Sequence, residues 1–279
     1  TGKGWGPGDY EHLGRTQNPA GKEFPSDQRT RRNRDYVRGL QAFLDARPAG
    51  APVCFWFGSK DPHRSFDAGS GLEKGKQLAD AQVPPFLPDA PQVRSDLLDY
   101  AVEIERFDAD LATMLAMLED IGELDNTLVI VTSDNGMAFP RAKANCYEYG
   151  IHMPLAIRWG THVESDRTVD DLISFTDLTA TIYDVTGIAP SPGLTLVGRS
   201  LLKILKSSQS GIVEPQRSAV YTARERHSSS RYNTLGYPQR AIRTHEYLYI
   251  RNFKPERWPA GPAAKFAEVL YSLHGEILQ

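Results

Sequence analysis

The sequence predicts an α/β fold built on a central, mostly parallel sheet flanked by helices. Three observations carry that prediction. Leu128-Val129-Ile130-Val131 is a β-rich apolar run without polar alternation, which suits a strand buried on both faces. Arg94 to Ile121, just before it, reads as a long amphipathic helix, so the two make the αβ half of a βαβ unit. Pro52-Val53-Cys54-Phe55-Trp56-Phe57 is a second apolar run that, like the first, breaks off into a polar cluster.

In chain order, residues 1–35 are rich in Gly, Pro and charge and lack a sustained period, as loop does. Gly4, Gly6 and Gly8 around Lys3 either bring backbone close to an anion or form an ordinary glycine loop. The basic cluster Arg29 to Arg34 suits a solvated face. Tyr36 to Leu44 fits a short helix, and residues 65–93 an irregular excursion ending in Pro84, Pro85, Pro88 and Pro91. In the long helix Leu97, Ala101, Ile104, Phe107, Leu111, Leu115 and Leu118 recur at three and four, with Ser95 as its cap and Gly122 as its end. Beyond the central stretch, Pro154 to Ile157 is a further apolar run and Ser174 to Val185 a helix. Ala219 to Ala223 is a strand, and Gln239 to Thr244 with Glu246 to Arg251 a hairpin around His245.

Composition bounds the function classes. With 279 residues, 40% hydrophobic and 24% charged, the chain can bury a sizeable core. A net charge of -3 gives no basic footprint for nucleic acid, and no apolar run reaches the ~18 residues of a membrane span. Two cysteines, Cys54 and Cys146, define neither a disulfide framework nor a thiolate metal cage. The chain opens at Thr1 inside a motif-like glycine segment and stops at Gln279 without a turn signal, so we expect a fragment of a longer protein. The expected division is a partial catalytic portion over 1–205. A partial C-terminal portion, the start of a small antiparallel subdomain, would cover 206–279.

Chemistry collects at three strand ends. The carboxyl ends of strands are where open α/β sheets bind ligands. The first end carries Asp61, His63 and Arg64, where His63 is either a structural histidine or a functional acid. The second carries Asp134 and Asn135, a hard-oxygen cation pair, with Lys143 eight residues on. The third carries Arg224 and His227. If they converge, they form a cation site ringed by Lys and His, suited to an anionic tetrahedral group. The residues alone do not choose between sulfate and phosphate.

A family resemblance then enters. Asn126-Thr127 followed by the apolar run and Ser133-Asp134-Asn135-Gly136 is similar to the "DNT-strand-SDNG" signature of the type I, formylglycine-dependent sulfatases. Lys143, Tyr147-Glu148-Tyr149-Gly150 and Pro154-Leu155 resemble their "K-x-x-x-Y-E-x-G…P-L" continuation. Thr1-Gly2-Lys3 resembles their "TGK" segment. Asp61-Pro62-His63-Arg64 and Phe139-Pro140 resemble the N-sulfoglucosamine sulfohydrolase (heparan sulfamidase) group, a likeness that Arg243 and Asn252-Phe253-Lys254 continue.

The resemblance implies an alkaline-phosphatase-like sandwich and hydrolysis of sulfuric esters or sulfamides on sulfated amino sugars of glycosaminoglycans. It implies calcium held by Asp134 and Asn135, sulfate oxygens held by Lys3 and Lys143, and a leaving group protonated by His63. Asp61, Arg64, Arg224 and His227 would touch the sugar. It also implies a periplasmic or secreted protein. The alternatives are a phosphodiesterase or phosphonate hydrolase of the same superfamily, or a non-catalytic sulfated-glycan-binding relative. Several features depart from the pattern. Neither cysteine, and no serine, lies in a C/S-x-P-S-R nucleophile motif, and the tandem Asp pair of the first strand is missing. Both are expected upstream of Thr1, so the fragment alone is expected to be inactive. Trp5 also stands where many sulfatases place a histidine.

Overall fold

The computed structural model describes residues 1–4, 10–12, 14–24, 35–226 and 235–257. They divide between two units, Thr1–Leu124 and Asp125–Gln279. In the first, helix α1 spans Tyr36–Asp45 and starts where Asp35 Oδ1 accepts from the Arg38 N–H at 3.0 Å. Helix α2 is the single turn Ser70–Glu73, and α3 runs from Pro91 to Asp120. Helix α3 begins three residues before the expected start and has no side-chain cap at Ser95. Pro91 takes the first helical position, where its fixed φ fits and its missing N–H is not needed. Gly122, at φ 71°, ends the helix as expected.

The core of this unit gathers Tyr36 and Leu40 of α1 and Met114 of α3, with Phe43, Phe55, Phe57 and Met117 around them. The buried seam of α3 is offset from the expected stripe. Val93, Leu98, Val102, Met114 and Leu118 are buried, whereas Ile104 is 41% exposed. Segment 53–57 is extended but forms no ladder strand. Phe55 and Phe57 face the core, while Cys54 and Trp56 are exposed, so one face is buried rather than the expected two.

In the second unit, β1 (Val129–Thr132) and β2 (Leu155–Arg158) pair antiparallel, with Val129 opposite Arg158 and Thr132 opposite Leu155. The one-turn helix α4 (Glu148–Ile151) lies in the connection between them. Helix α5 (Phe175–Thr186) opens on a capping box of Ser174 and Asp177, and α6 is Leu202–Leu205. Strands β3 (Val220–Arg224), β4 (Gln239–Arg243) and β5 (Leu248–Asn252) form an antiparallel sheet in that order, which contains the expected hairpin.

The core of this unit joins Leu201, Ile204 and Leu205 to Ile157, Ile173, Leu178 and Val213. The expected division at 205/206 falls inside that cluster. Beside it, Arg217 is 1% exposed and makes four hydrogen bonds. It donates to Asp177 Oδ2 (2.9 Å), Glu214 Oε2 (2.8 Å) and the carbonyls of Arg199 (3.1 Å) and Ser200 (2.8 Å).

The mixed α/β class stands, but strand direction differs from expectation. The ladders among the described residues are antiparallel, and parallel pairing occurs at the isolated bridges Gly2–Gly58 and Val169–Gly211. An apolar run reports burial of a strand, not the direction of its neighbour.

Candidate active site

In the first unit, Thr1–Lys3 runs parallel to the end of segment 53–58. Gly58 donates its N–H to the Thr1 carbonyl (3.0 Å), and Lys3 donates to the Gly58 carbonyl (2.5 Å). The approach requires glycine on both sides: a Cβ at Gly2 would lie 2.1 Å from the Gly58 oxygen, and one at Gly58 would lie 2.0 Å from the Lys3 oxygen. The Trp56 indole N–H also donates to the Lys3 carbonyl at 2.8 Å. Lys3 is thereby fixed at the chain end from which the Lys60–Arg64 turn departs.

That turn is held at several points. Its backbone closes through the His63 N–H to the Lys60 carbonyl (2.8 Å), and the Lys60 N–H donates to the Tyr36 hydroxyl (3.1 Å). Arg64 makes a two-pronged pair with Asp96 of α3 and lies over the Phe66 ring, 4.2 Å from its centroid. Asp61 meets Arg106 Nε at 3.4 Å, and Arg106 also pairs with Glu103 of its own helix. Asp61 and Arg64, expected to touch a sugar, therefore both engage α3.

His63 itself is exposed, and its Nδ1 lies 2.6 Å from the Arg64 carbonyl. A carbonyl only accepts, so Nδ1 carries a hydrogen and Nε2 is the nitrogen that exchanges its proton. That arrangement suits an imidazolium delivering a proton through Nε2.

In the second unit, β1 ends in Ser133-Asp134-Asn135-Gly136. Asp134 is exposed, and Asn135 is half-buried. The Asn135 amide donates through Nδ2 to the Gly136 carbonyl at 2.8 Å, which leaves Oδ1 as the atom it offers to another partner. A carboxylate and an amide oxygen side by side suit a hard cation such as calcium. Calcium takes about 6–8 oxygen ligands, so these two side chains make only part of a shell. Among the described residues, no group of three or more His, Cys, Asp and Glu could hold a metal.

The chain then loops out and closes on itself. Gly136 donates to the Gly150 carbonyl at 3.3 Å, and a Cβ on Gly136 would lie 1.9 Å from the Tyr149 oxygen. Within this loop Lys143 is half-buried, with its N–H on the Met137 carbonyl at 3.0 Å. Arg141 (φ 60°) and Ala144 (φ 62°) flank it in the left-handed region, a strained conformation for side chains with a Cβ.

The three-stranded sheet braces the same loop. Arg224 of β3 reaches Asn145 Oδ1 at 3.4 Å, and Arg243 of β4 pairs with Glu148 at 2.8 Å. The Arg243 guanidinium, aided by His152, holds the Glu148 carboxyl below its usual range. Burial raises the Cys146 thiol pKa against the opposing pull of Arg224 and Arg240, which suits a packed thiol and not a nucleophile. His227 lies outside the described residues.

Lys3, Asp61, His63 and Arg64 thus share the first unit, and Asp134, Asn135, Lys143 and Arg224 the second. Sequence reasoning missed Asp96, Glu103 and Arg106, which hold the His63 turn. The available signal was a polar row at 96, 99, 103 and 106, spaced for one helix face. It runs beside an apolar stripe that drew attention first.

Residues 15–188 match the sulfatase family, more than half of the chain. The chain belongs to the sulfatase family. Residues 141–259 also match the family described as N-sulphoglucosamine sulphohydrolase, C-terminal. The sulfatase chain is 33% identical over 182 residues to N-sulphoglucosamine sulphohydrolase from Homo sapiens, covering 62% of this chain and 34% of that protein. It is 29% identical over 175 residues to an ulvan-active sulfatase from Formosa agariphila, covering 63% and 27%. It therefore spans about a third or less of the length of these relatives. A solved structure from work on the metabolism of multiple glycosaminoglycans by Bacteroides thetaiotaomicron superposes with a TM-score of 0.61 at 20% identity. It covers 85% of this chain and 55% of that one. The fold of this sulfatase chain is accordingly the alkaline-phosphatase-like α/β fold.

Proposed function

We propose that the protein removes sulfate from sulfated amino sugars of glycosaminoglycans, as a sulfuric ester or sulfamide hydrolase. The observation that carries this reading is the Ser133–Gly136 turn, within the sulfatase match, followed by Lys143 on a loop braced by Arg224 and Arg243, within the N-sulphoglucosamine sulphohydrolase C-terminal match. The human relative is named for N-sulphoglucosamine, and another, from Bacteroides thetaiotaomicron, for N-acetylglucosamine-6-O-sulfate chemistry, which supports an amino-sugar substrate.

Each described residue has a task in this reading. Lys3 and Lys143 present ammonium groups to sulfate oxygens, a role suited to compact point charges. His63 protonates the leaving oxygen or amine through Nε2. Asp134 and Asn135 Oδ1 hold part of a calcium shell, and calcium, when bound, supplies fixed positive charge beside the sulfate. Asp61 and Arg64 are proposed to serve the sugar through the turn they anchor, and Arg224, with His227, is likewise proposed as a sugar-binding residue. The family's formylglycine nucleophile does not fit either cysteine. Cys54 is exposed on an extended segment, Cys146 is buried, and neither stands in the required motif.

Among the described residues no helix is long and apolar enough to cross a membrane. One relative is named an extracellular sulfatase, from Drosophila melanogaster, which supports a periplasmic or secreted location. The test is hydrolysis by the protein at its full natural length of N-sulfoglucosamine, an aryl sulfate and an aryl phosphate. Sulfate release with amino-sugar preference is expected; preference for the phosphate sinks the reading.

A further inference from the structure

We infer that Asp96 is a positioning residue for His63 and acts through Arg64, whose side chain it pins and whose carbonyl sets the tautomer of the histidine. The inference rests on the proposed reading of His63 as the acid, and the experiments below separate the two.

Arg64 is held at both its side chain and its carbonyl. The guanidinium donates from Nη1 to Asp96 Oδ1 at 2.8 Å and from Nη2 to Asp96 Oδ2, a two-pronged pair. The two side chains are only 10% and 14% exposed, so the pair is shielded and the loss of one partner is costly. The guanidinium also lies over the Phe66 ring, 4.2 Å from its centroid. Phe66 is itself buried, with its ring 5.6 Å from that of Tyr100 on α3. The Arg64 carbonyl, for its part, accepts from His63 Nδ1 at 2.6 Å. One residue thus links a carboxylate of α3 to the imidazole.

Helix α3 gives this link a firm base. Asp96 and Asp99 are three residues apart on one helix face. Asp99, 3% exposed, accepts from the N–H groups of Gly69 (2.9 Å) and Gly71 (2.8 Å). The chain from Arg64 to Gly71 is therefore fastened to α3 near both ends, with Phe66 packed on the helix between them. Removing Asp96 releases the start of that segment and leaves a shielded guanidinium without its anion. The side chain should then turn toward water and take the carbonyl with it.

The consequence falls on the proton. An imidazolium gives its Nε2 proton to the leaving oxygen or nitrogen as the bond to sulfur breaks, and the ring is left neutral with hydrogen on Nδ1. A carbonyl fixed at Nδ1 favours both states, because it accepts from the same N–H before and after the transfer. With the carbonyl displaced, the neutral ring takes either tautomer and the acid loses its orientation.

The test compares two substrates of the protein at its full natural length. The amine of N-sulfoglucosamine leaves only with a proton, whereas the phenolate of nitrophenyl sulfate leaves without one. Asp96→Ala should lower kcat about tenfold or more on the amino sugar with KM little changed, and no more than about twofold on the aryl ester. Equal losses on both substrates would mark a structural role alone, and a loss confined to KM would assign the pair to sugar binding; either overturns the proposal. Asp96→Asn keeps the shape and one accepting oxygen. It should show the same substrate dependence in smaller measure, and it serves if the alanine variant does not fold. Ring-nitrogen NMR of the unmutated protein reads the tautomer directly. Hydrogen on Nδ1 of neutral His63 is expected, and hydrogen mainly on Nε2 refutes the positioning. His63→Ala separates the two claims. If amino-sugar turnover survives that change, the acid role fails, while the tautomer still judges the Arg64 link. If turnover falls there but not in the Asp96 variants, the acid stands and the positioning is refuted.

Discussion

Arg243 donates through Nε to Glu148 Oε2 at 2.8 Å across 95 residues of sequence. The bond ties strand β4 to the short helix that closes the Lys143 loop, so a residue from the sheet braces a candidate site more than ninety positions earlier. Because Arg243 depresses the Glu148 pKa, the contribution of the pair is fully present above the ordinary glutamate value near 4.5 and is lost as pH falls through the lowered folded value. The pair is partly exposed and screened, so Arg243→Ala should cost about 1 kcal/mol or less at neutral pH. Denaturant melts at pH 7 and in acid would check this, with the difference from the unmutated protein vanishing in acid.

Relief of backbone strain beside Lys143 should be measurable. Ala144 sits at φ 62°, where a Cβ costs roughly 1–2 kcal/mol and glycine costs nothing. Ala144→Gly is therefore expected to raise stability by up to about 1 kcal/mol, after the added chain entropy of glycine is set against it. Equilibrium unfolding reads the change directly. Destabilisation would show that the left-handed conformation is not held in solution.

Arg217 should be the most sensitive charge in the second unit. It is 1% exposed and bonds two carboxylates and two carbonyls, so removing it leaves Asp177 buried without its cation and Glu214 with only the exposed Lys203, at 3.3 Å. Arg217→Ala is expected to cost about 3–5 kcal/mol, the range for breaking one side of a buried pair. A loss under 1 kcal/mol, the range of surface pairs, would mean that water reaches the network.

Local elements were legible in the sequence because their signals are local. Helix α5, the β4–β5 hairpin and the Gly122 stop all follow from residues within a few positions of one another. The direction of β1 against β2 was not legible, because an apolar run records burial and not its partner. The two-sided burial expected of segment 53–57 failed for a similar reason. Trp56 is apolar in composition, yet it sits outside with its indole N–H on the Lys3 carbonyl. At the site, Asp134, Asn135 and Lys143 were legible as a motif, while Glu103 and Arg106 were not. Polar residues on a helix read as a solvated face until the Lys60–Arg64 turn is seen to fold over them.

Lys143→Ala tests the loop's purpose. Its ammonium is expected to hold sulfate, so the variant should lose turnover while its unfolding transition stays within about 0.5 kcal/mol of the unmutated protein, as for a substitution outside the packed core. Thermal melts and sulfate-release assays on the same preparation separate the two effects. Unchanged turnover would remove Lys143 from the site.

The most direct measurement is the specificity ratio of the protein at its full natural length, kcat/KM for N-sulfoglucosamine against an aryl phosphate, taken with calcium present. The expected result is a ratio well above ten in favour of the sulfated amino sugar, at least about 1.4 kcal/mol of transition-state preference. A ratio below one, with phosphate released faster than sulfate, would contradict the assignment of this site to sulfate transfer.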